Sequence, residues 1–308
     1  MEHPEREFTN KTQTLEKAQA SYLNKLIPGW CQKWITWSGG KLQALQIGSG
    51  PKALLIHGGL GDAFQYATIM KRLAERYECV AIDRPGHGLS DPIDYDGVDL
   101  LQHAETVLND IYENEGIEKA VILATSMGGL WAIDFALKHP SRVEKLVLVG
   151  SPAGITKDLP AMLRFGTLPV LRGLIRGVMR TPTAESVRGF WKQMLVARPE
   201  KLAADFIEVS VASQARNAPS WFTLIDASMT VRGLRNYLLI GERWKELAVP
   251  VTCLWGDKDV WAAPTIGQKI ADLTPNFETV VIENAGHAPW FDDLDAVVAG
   301  IERALAAK

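Results

Sequence analysis

Val121-Ile122-Leu123-Ala124-Thr125-Ser126-Met127-Gly128-Gly129 is an apolar run that stops abruptly at small residues. The run over 121–123 predicts a buried strand. Leu130, Trp131, Ile133, Phe135 and Leu137 then keep a helical spacing, and Lys138-His139-Pro140 closes that helix. Ser126 stands at the joint. So tight a strand-to-helix turn forces its serine into a strained backbone geometry and demands small neighbours. Ala124 and Gly128 meet that demand. The turn lifts the hydroxyl above the sheet at a helix N-terminus, where backbone N–H groups and the helix dipole favour developing negative charge. Taken alone, the stretch also fits a tight turn with an incidental serine.

Upstream, residues 53–56 form a fully apolar strand that runs into His57-Gly58-Gly59-Leu60-Gly61. A strand ending in a glycine cluster leaves backbone N–H groups free for an anion. No G-x-x-x-x-G-K-[ST] pattern accompanies it, so an oxyanion hole is a better reading than a phosphate site. His57 is expected to bond the loop backbone. Asp62 and Gln65 have capping-box spacing for a helix through Tyr77. The strand over 79–82 leads into Asp83-Arg84-Pro85-Gly86-His87-Gly88-Leu89-Ser90, whose polar side chains are expected to fix that loop. Further upstream, 33–37 and 42–47 flank Ser38-Gly39-Gly40 and predict a hairpin. Residues 1–30 form an N-terminal helical extension. Leu15, Ala18, Tyr22, Leu23 and Leu26 lie on one side of its helix, and Pro28-Gly29 stops it. This helix either packs on the core or covers the mouth of a site. Trp30, Trp34 and Trp37 are expected to pack in the core.

Downstream, a strand over 143–149 ends at Gly150-Ser151-Pro152. Strands and helices alternate up to this point, which implies a mostly parallel sheet. The pattern then changes to helical segments with no convincing strand over 153–235. Thr181-Pro182 has the form of a helix start there. Phe165 and Trp191 are candidates to face a pocket. Arg164, Arg172, Arg176 and Arg180 read as a polar helix face, with anionic lipid binding as the alternative. The α/β pattern resumes with a strand over 251–255 and Gly256-Asp257-Lys258-Asp259. A helix over 265–273 and a strand over 279–282 follow, then Gly286-His287 and a closing helix.

With 308 residues, 47% hydrophobic and 22% charged, the chain can bury a large core. A net charge of −3 gives no reason to expect a nucleic-acid partner. Cys31, Cys79 and Cys253 are far apart and lie in or beside apolar runs, which predicts buried thiols in a reducing compartment. The opening Met1-Glu2-His3-Pro4-Glu5-Arg6-Glu7 has no apolar signal region, and no apolar run approaches membrane-spanning length. A cytoplasmic enzyme acting on a small molecule is the expectation. No Cys/His cluster has metal-ligand spacing, and no G-x-G-x-x-G follows a strand, so neither metal nor organic cofactor is expected.

Three strand ends thus offer Ser126, an aspartate and His287. Serine is a weak nucleophile until a neighbouring base takes its proton, and His287 is the candidate base. Asp259 is the candidate to orient the imidazole, with Asp257 as the competing acid. His3, His103 and His139 lie away from the strand ends.

Together, His57-Gly58-Gly59, Asp83 to Ser90, Ser126-Met127-Gly128-Gly129, Trp255-Gly256-Asp257-Lys258-Asp259 and Gly286-His287 closely resemble the α/β-hydrolase superfamily, in its cap-bearing branch. The resemblance implies an α/β-hydrolase core of residues 31–152 and 236–308, a mostly parallel sheet flanked by helices. It implies an inserted all-helical cap over 153–235 that roofs the pocket and chooses the substrate. It also implies a Ser126–Asp259–His287 triad and an oxyanion hole from the N–H groups of Gly59 and Met127. The expected activity is hydrolysis of a carboxylic ester of a lipophilic or aromatic small molecule through an acyl-serine. The alternatives are carbon–carbon hydrolysis of a dienoic ketoacid, or a ligand receptor that keeps the triad.

Overall fold

The computed structural model describes residues 4–306. Readings that rest on Met1, Glu2 and His3 lie outside the described residues. Eight strands form one sheet: β1 (Cys31–Trp37), β2 (Gly40–Ile47), β3 (Lys52–Ile56), β4 (Glu78–Ile82), β5 (Ala120–Ala124), β6 (Val143–Val149), β9 (Val251–Gly256) and β10 (Phe277–Ile282). Their order is β1-β2-β4-β3-β5-β6-β9-β10. All pairings from β4 to β10 are parallel. The hairpin β1–β2 joins antiparallel at the β4 edge.

The interior strands are apolar on both faces, as strands covered on both sides must be. Leu54, Ile56, Ile122, Ala124, Leu146 and Leu148 face one core, with α3 (Leu100–Asn114) and α4 (Ser126–Lys138) over them. Ala53, Leu55, Val121, Leu123, Val147 and Val149 face the other, beneath α2 (Ala67–Leu73) and α11 (Leu294–Ala306). From β3 the chain moves outward to β4, then crosses back to lay β5 on the other side of β3. The crevice beyond the carboxyl ends of β3 and β5 is therefore a topological switch point, where open parallel sheets take ligands.

Helix α1 (Pro4–Leu26) lies against α2 and against α8 (Ala204–Ser228). Leu15, Tyr22 and Leu23 are buried under it, and Gln19 accepts a 2.7 Å bond from Gln43. The helix thus packs on the core, and no α1 residue lines either cavity described below. Between β6 and β9 stand α5 (Ala161–Gly166), α6 (Pro169–Arg180), α7 (Ala184–Met194) and α8. A two-stranded ribbon, β7 (Met229–Thr230) with β8 (Gly233–Leu234), also lies there, which corrects the all-helical reading. Its strands are two residues long, below any periodicity a sequence can show.

Three further expectations give way. Helix α7 starts at the Thr183 cap and not at Thr181-Pro182, because Thr183 and Ser186 bond each other's backbone N–H groups. Trp34 is half exposed, on an edge strand with no layer over that face. Cys31, at the start of the same strand, is exposed, whereas Cys79 and Cys253 are buried. A short helix, α9 (Thr265–Ala271), links β9 to β10, and α10 (Pro289–Asp292) precedes α11.

Gly128 and Gly189 should respond oppositely to alanine. A Cβ at Gly128 would lie 2.3 Å from the Ile56 carbonyl oxygen, and backbone there cannot yield cheaply. Gly128→Ala should cost about 1–3 kcal/mol or more. At Gly189, inside α7, a Cβ meets nothing within 4 Å, so Gly189→Ala should gain about 0.5–1 kcal/mol. Denaturant unfolding of both variants checks the pair of signs.

Candidate active site

Ser126 opens α4 with a φ of 52°, a region that non-glycine residues seldom adopt. The strain is held from several sides. Thr125 N–H donates to the Ile56 carbonyl at 3.1 Å, and Ala153 N–H to the Ser126 carbonyl at 2.9 Å. Tyr66 donates its hydroxyl to Thr125 Oγ1 at 2.8 Å and reaches the Ile56 carbonyl at 2.9 Å. Gly128 lets the first turn of α4 close on the end of β3. Met127 is the second residue of α4, where a backbone N–H has no intrahelical partner.

His287 and Asp259 meet from the loops after β10 and β9. The imidazole Nδ1 lies 2.9 Å from one Asp259 oxygen and 3.1 Å from the other. Asp259 also accepts the backbone N–H groups of Ser151 at 3.1 Å and Trp261 at 2.9 Å. Burial pushes its carboxyl up, but the His287 charge and these hydrogen bonds outweigh that and hold it below the usual carboxylate range. Asp259 is thus an ionised acceptor, which favours the imidazole tautomer protonated on Nδ1. His287 Nε2 is buried and has no hydrogen-bond partner among the described residues. Asp257 turns elsewhere, to the Ala285 N–H at 3.2 Å and to Lys258 at 3.0 Å.

Three neighbours of this pair escaped the sequence reading. Ser151 Oγ lies 3.2 Å from His287 Nδ1. The Trp261 indole stacks on the imidazole at 5.1 Å and donates to the Met194 carbonyl at the end of α7. Asp292 accepts the Gly286 N–H at 2.7 Å and the N–H groups of Ala197 and Arg198, fixing the His287 loop to the segment after α7. The one available signal was position: Ser151 follows β6, the strand beside β9.

The glycine loop after β3 rests on a buried polar network. Arg84 donates to the Gly58 carbonyl at 2.6 Å and the Gly59 carbonyl at 3.2 Å. His87 sits between the Pro85 and Gly59 carbonyls, with ring nitrogens 2.8 and 2.7 Å away. His57 Nε2 accepts the Arg84 N–H at 3.0 Å, so His57 holds loop backbone as expected. Burial and the Arg84 charge push both imidazoles down, His87 to about 3. Neither can act as a base that titrates near neutrality. Asp62 stands at the N-cap position of the 3-10 turn Ala63–Tyr66, but its side chain makes no capping bond. Its carboxylate instead accepts the Gly88 N–H and the Ser213 hydroxyl of α8, each at 2.7 Å, and α2 stops at Leu73. Burial raises both Asp62 and Asp83, and the Asp62 charge adds to the rise at Asp83. Arg216 and Asn217 of α8 donate to the Gly88 carbonyl at 2.8 and 3.1 Å.

Ser126, His287, Gly59 and Met127 line one cavity of about 110 Å³. Its far wall is apolar and comes from the helices after β6, with Leu163, Phe190, Trp191 and Ile225. A second cavity, of about 280 Å³, shares Leu163, Phe190, Trp191 and Ile225 with the first and extends under α6. Trp191 faces both cavities, as expected of a pocket residue. Phe165 lines neither and is 55% exposed, which corrects its assignment. Among the described residues no cluster could hold a metal ion.

Ser126 and His287 share the cavity without a hydrogen bond between them. A serine at a strained strand-to-helix turn, in one cavity with a carboxylate-bound imidazole at the switch point of a parallel sheet, defines a recognisable class. Residues 53–300 match the model of the alpha/beta hydrolase family, and the chain belongs to that family. It is a hydrolase. It is 27% identical over 288 residues to a 2-hydroxy-6-oxononadienedioate/2-hydroxy-6-oxononatrienedioate hydrolase of Paraburkholderia phymatum, covering 92% of this chain and 94% of that one. It is 29% identical over 259 residues to a pimeloyl-[acyl-carrier protein] methyl ester esterase of Neisseria meningitidis, covering 80% and 74%. The fold also matches the naproxen esterase of Bacillus subtilis with a TM-score of 0.76 at 20% identity, over 94% of this chain and 96% of that one.

His103 yields a pH test of the interior. It is wedged edge-on against Trp37, Tyr95 and Trp131, and burial lowers its pKa from 6.5 to about 4. The folded form therefore excludes a proton that the unfolded chain takes up below pH 6.5. This stability is present above pH 6.5 and is lost as pH falls towards 4. Unfolding free energy measured between pH 7 and 4 should fall more steeply in the wild type than in His103→Phe.

Proposed function

We propose that the chain is a serine esterase acting on a neutral, lipophilic ester. The observation that carries this is His287, held through Nδ1 by Asp259, with Nε2 free in the cavity that Ser126 lines. In the proposed reaction Nε2 takes the Ser126 hydroxyl proton as Oγ bonds the ester carbonyl carbon. The charge that develops on the carbonyl oxygen is received by the N–H groups of Gly59 and Met127. Collapse breaks the bond to the alcohol, which leaves with the proton from Nε2. Water, deprotonated by the same nitrogen, then attacks the acyl-serine; the bond to Oγ breaks, Oγ takes the proton back from Nε2, and the acid leaves. Asp259 stays ionised throughout and stabilises the imidazolium. Residues 153–235 act as a cap over the core of 31–152 and 236–308. The unpaired thiols of Cys31, Cys79 and Cys253 support a cytoplasmic setting.

Carbon–carbon hydrolysis is the second reading, favoured by the near-complete span of the Paraburkholderia relative. The name of that enzyme's substrate specifies two carboxylates. No Lys or Arg is among the described residues lining either cavity, and Asp158 and Asp62 add negative charge. Two carboxylates desolvated there would lack a cationic partner. A lining with no cationic side chain supports a neutral ester.

Ser126→Ala should lower kcat on an activated ester by about 10⁶. Asp259→Asn should lower it by about 10⁴, and Asp257→Asn far less. The reverse order of the two aspartates would assign the wrong acid. A side-by-side screen of neutral esters and a dienoic ketoacid decides between the two chemistries, and the absence of turnover on both would favour a receptor. Trp191→Ala should shift preference across an acyl chain-length series in a graded way, by about 10–200-fold in kcat/KM per methylene-scale change. Phe165→Ala should leave that preference unmoved.

A further inference from the structure

Helix α6 carries an exposed apolar stripe. Val170, Leu174 and Val178 recur every fourth residue and are 89%, 68% and 52% exposed. Leu171 flanks them, and Phe165 and Met162 of α5 extend the patch. The helix has only one packed side. Arg172 and Arg176 bond Asp226 of α8, and Ile175, Val178 and Met179 line the second cavity together with Met162 of α5, so Val178 and Met162 stand at the edge of the exposed patch. On the outer side a Cβ at Gly173 or Gly177 would meet nothing within 4 Å. A contiguous exposed apolar face of this kind marks an interaction surface.

Charge decides what covers it. From 159 to 184 the chain has Arg164, Arg172, Arg176 and Arg180 and no Asp or Glu. Asp226 offsets one of these charges, and Arg180 is exposed. A second copy docked through the same stripe would set cationic helices side by side. Arg176 and Arg180 lie over the Phe222 ring of α8 and Arg164 donates to the Val231 carbonyl, so the arginines stand behind the apolar face. A helix with an apolar outer face and a net positive charge suits the plane of an anionic lipid interface. No helix among the described residues is long and apolar enough to span a membrane, so the contact is with a surface.

We propose that the α5–α6 face docks the protein on an anionic lipid bilayer. Docked this way, α6 separates the lipid from the second cavity by one helix thickness. If the esterase reading holds, lipophilic substrate reaches Ser126 from the membrane side. The docking itself does not depend on that chemistry.

The test is co-sedimentation of the full chain with vesicles of phosphatidylcholine plus phosphatidylglycerol, against phosphatidylcholine alone. Wild type and Ser126→Ala should bind the anionic vesicles equally, and more weakly at higher salt. The double variant Val170→Ser/Leu174→Ser should bind about tenfold more weakly or worse, while turnover of a small soluble ester stays at the wild-type rate. Binding without ester turnover would leave the docking standing and remove the esterase reading. No preference for anionic vesicles, or undiminished binding by the double variant, overturns the proposal. A concentration-dependent dimer in sedimentation velocity that the double variant abolishes overturns it too, in favour of a second copy.

Discussion

The site depends on one close approach. The first turn of α4 presses on the end of β3 so tightly that Gly128 leaves no room for a Cβ beside the carbonyls of Ile56 and His57. That contact lets Ser126 stand at a φ of 52° and brings Gly58 to the serine, where an added Cβ would be 3.2 Å from Ser126 Cβ. Strain of this sort costs about 1–3 kcal/mol and persists only where the surroundings over-determine it. Here they do: β3 and β5 are bonded in parallel register, and Tyr66 ties both strand ends together. The stability of the sheet is thereby converted into the position of one hydroxyl.

A second constraint holds the facing loop. Arg84 and His87 bind the Gly58 and Gly59 carbonyls from behind, in a region with almost no solvent. Buried charges are tolerated only when paired and hydrogen-bonded. The polar cluster continues through Asp83 and Asp62 to Ser213, Arg216 and Asn217 of α8 by hydrogen bonds. One consequence is mechanical. The helices that line the far wall of the cavity and the glycine loop on its near wall are parts of the same polar cluster. Asp292 repeats the device on the other side by tying the His287 loop to the backbone after α7.

The features legible in the sequence were those with a local cause. Strands buried on both faces stand out as apolar runs, and the small residues around Ser126 have a steric reason visible in order. Asp62 misled for an equally physical reason. Its spacing from Gln65 suits a cap, but a buried pairing with Gly88 and Ser213, the latter 151 residues away, outweighs the local bond. Ser151 and Trp261 were missed because their role arises only when β6 and β9 lie side by side. Phe165 was misassigned because an apolar helix face does not reveal whether it looks inward. The exposed stripe of α6 has the same periodicity as a buried one.

The central claim is that Ser126 is the nucleophile and His287 its base. It is tested most directly by treating the protein with a fluorophosphonate and mapping the adduct by mass spectrometry. The account predicts one covalent adduct, on Ser126, that forms much more slowly in His287→Ala and is absent in Ser126→Ala. An adduct on another residue, or labelling of Ser126 at an unchanged rate without His287, would contradict it.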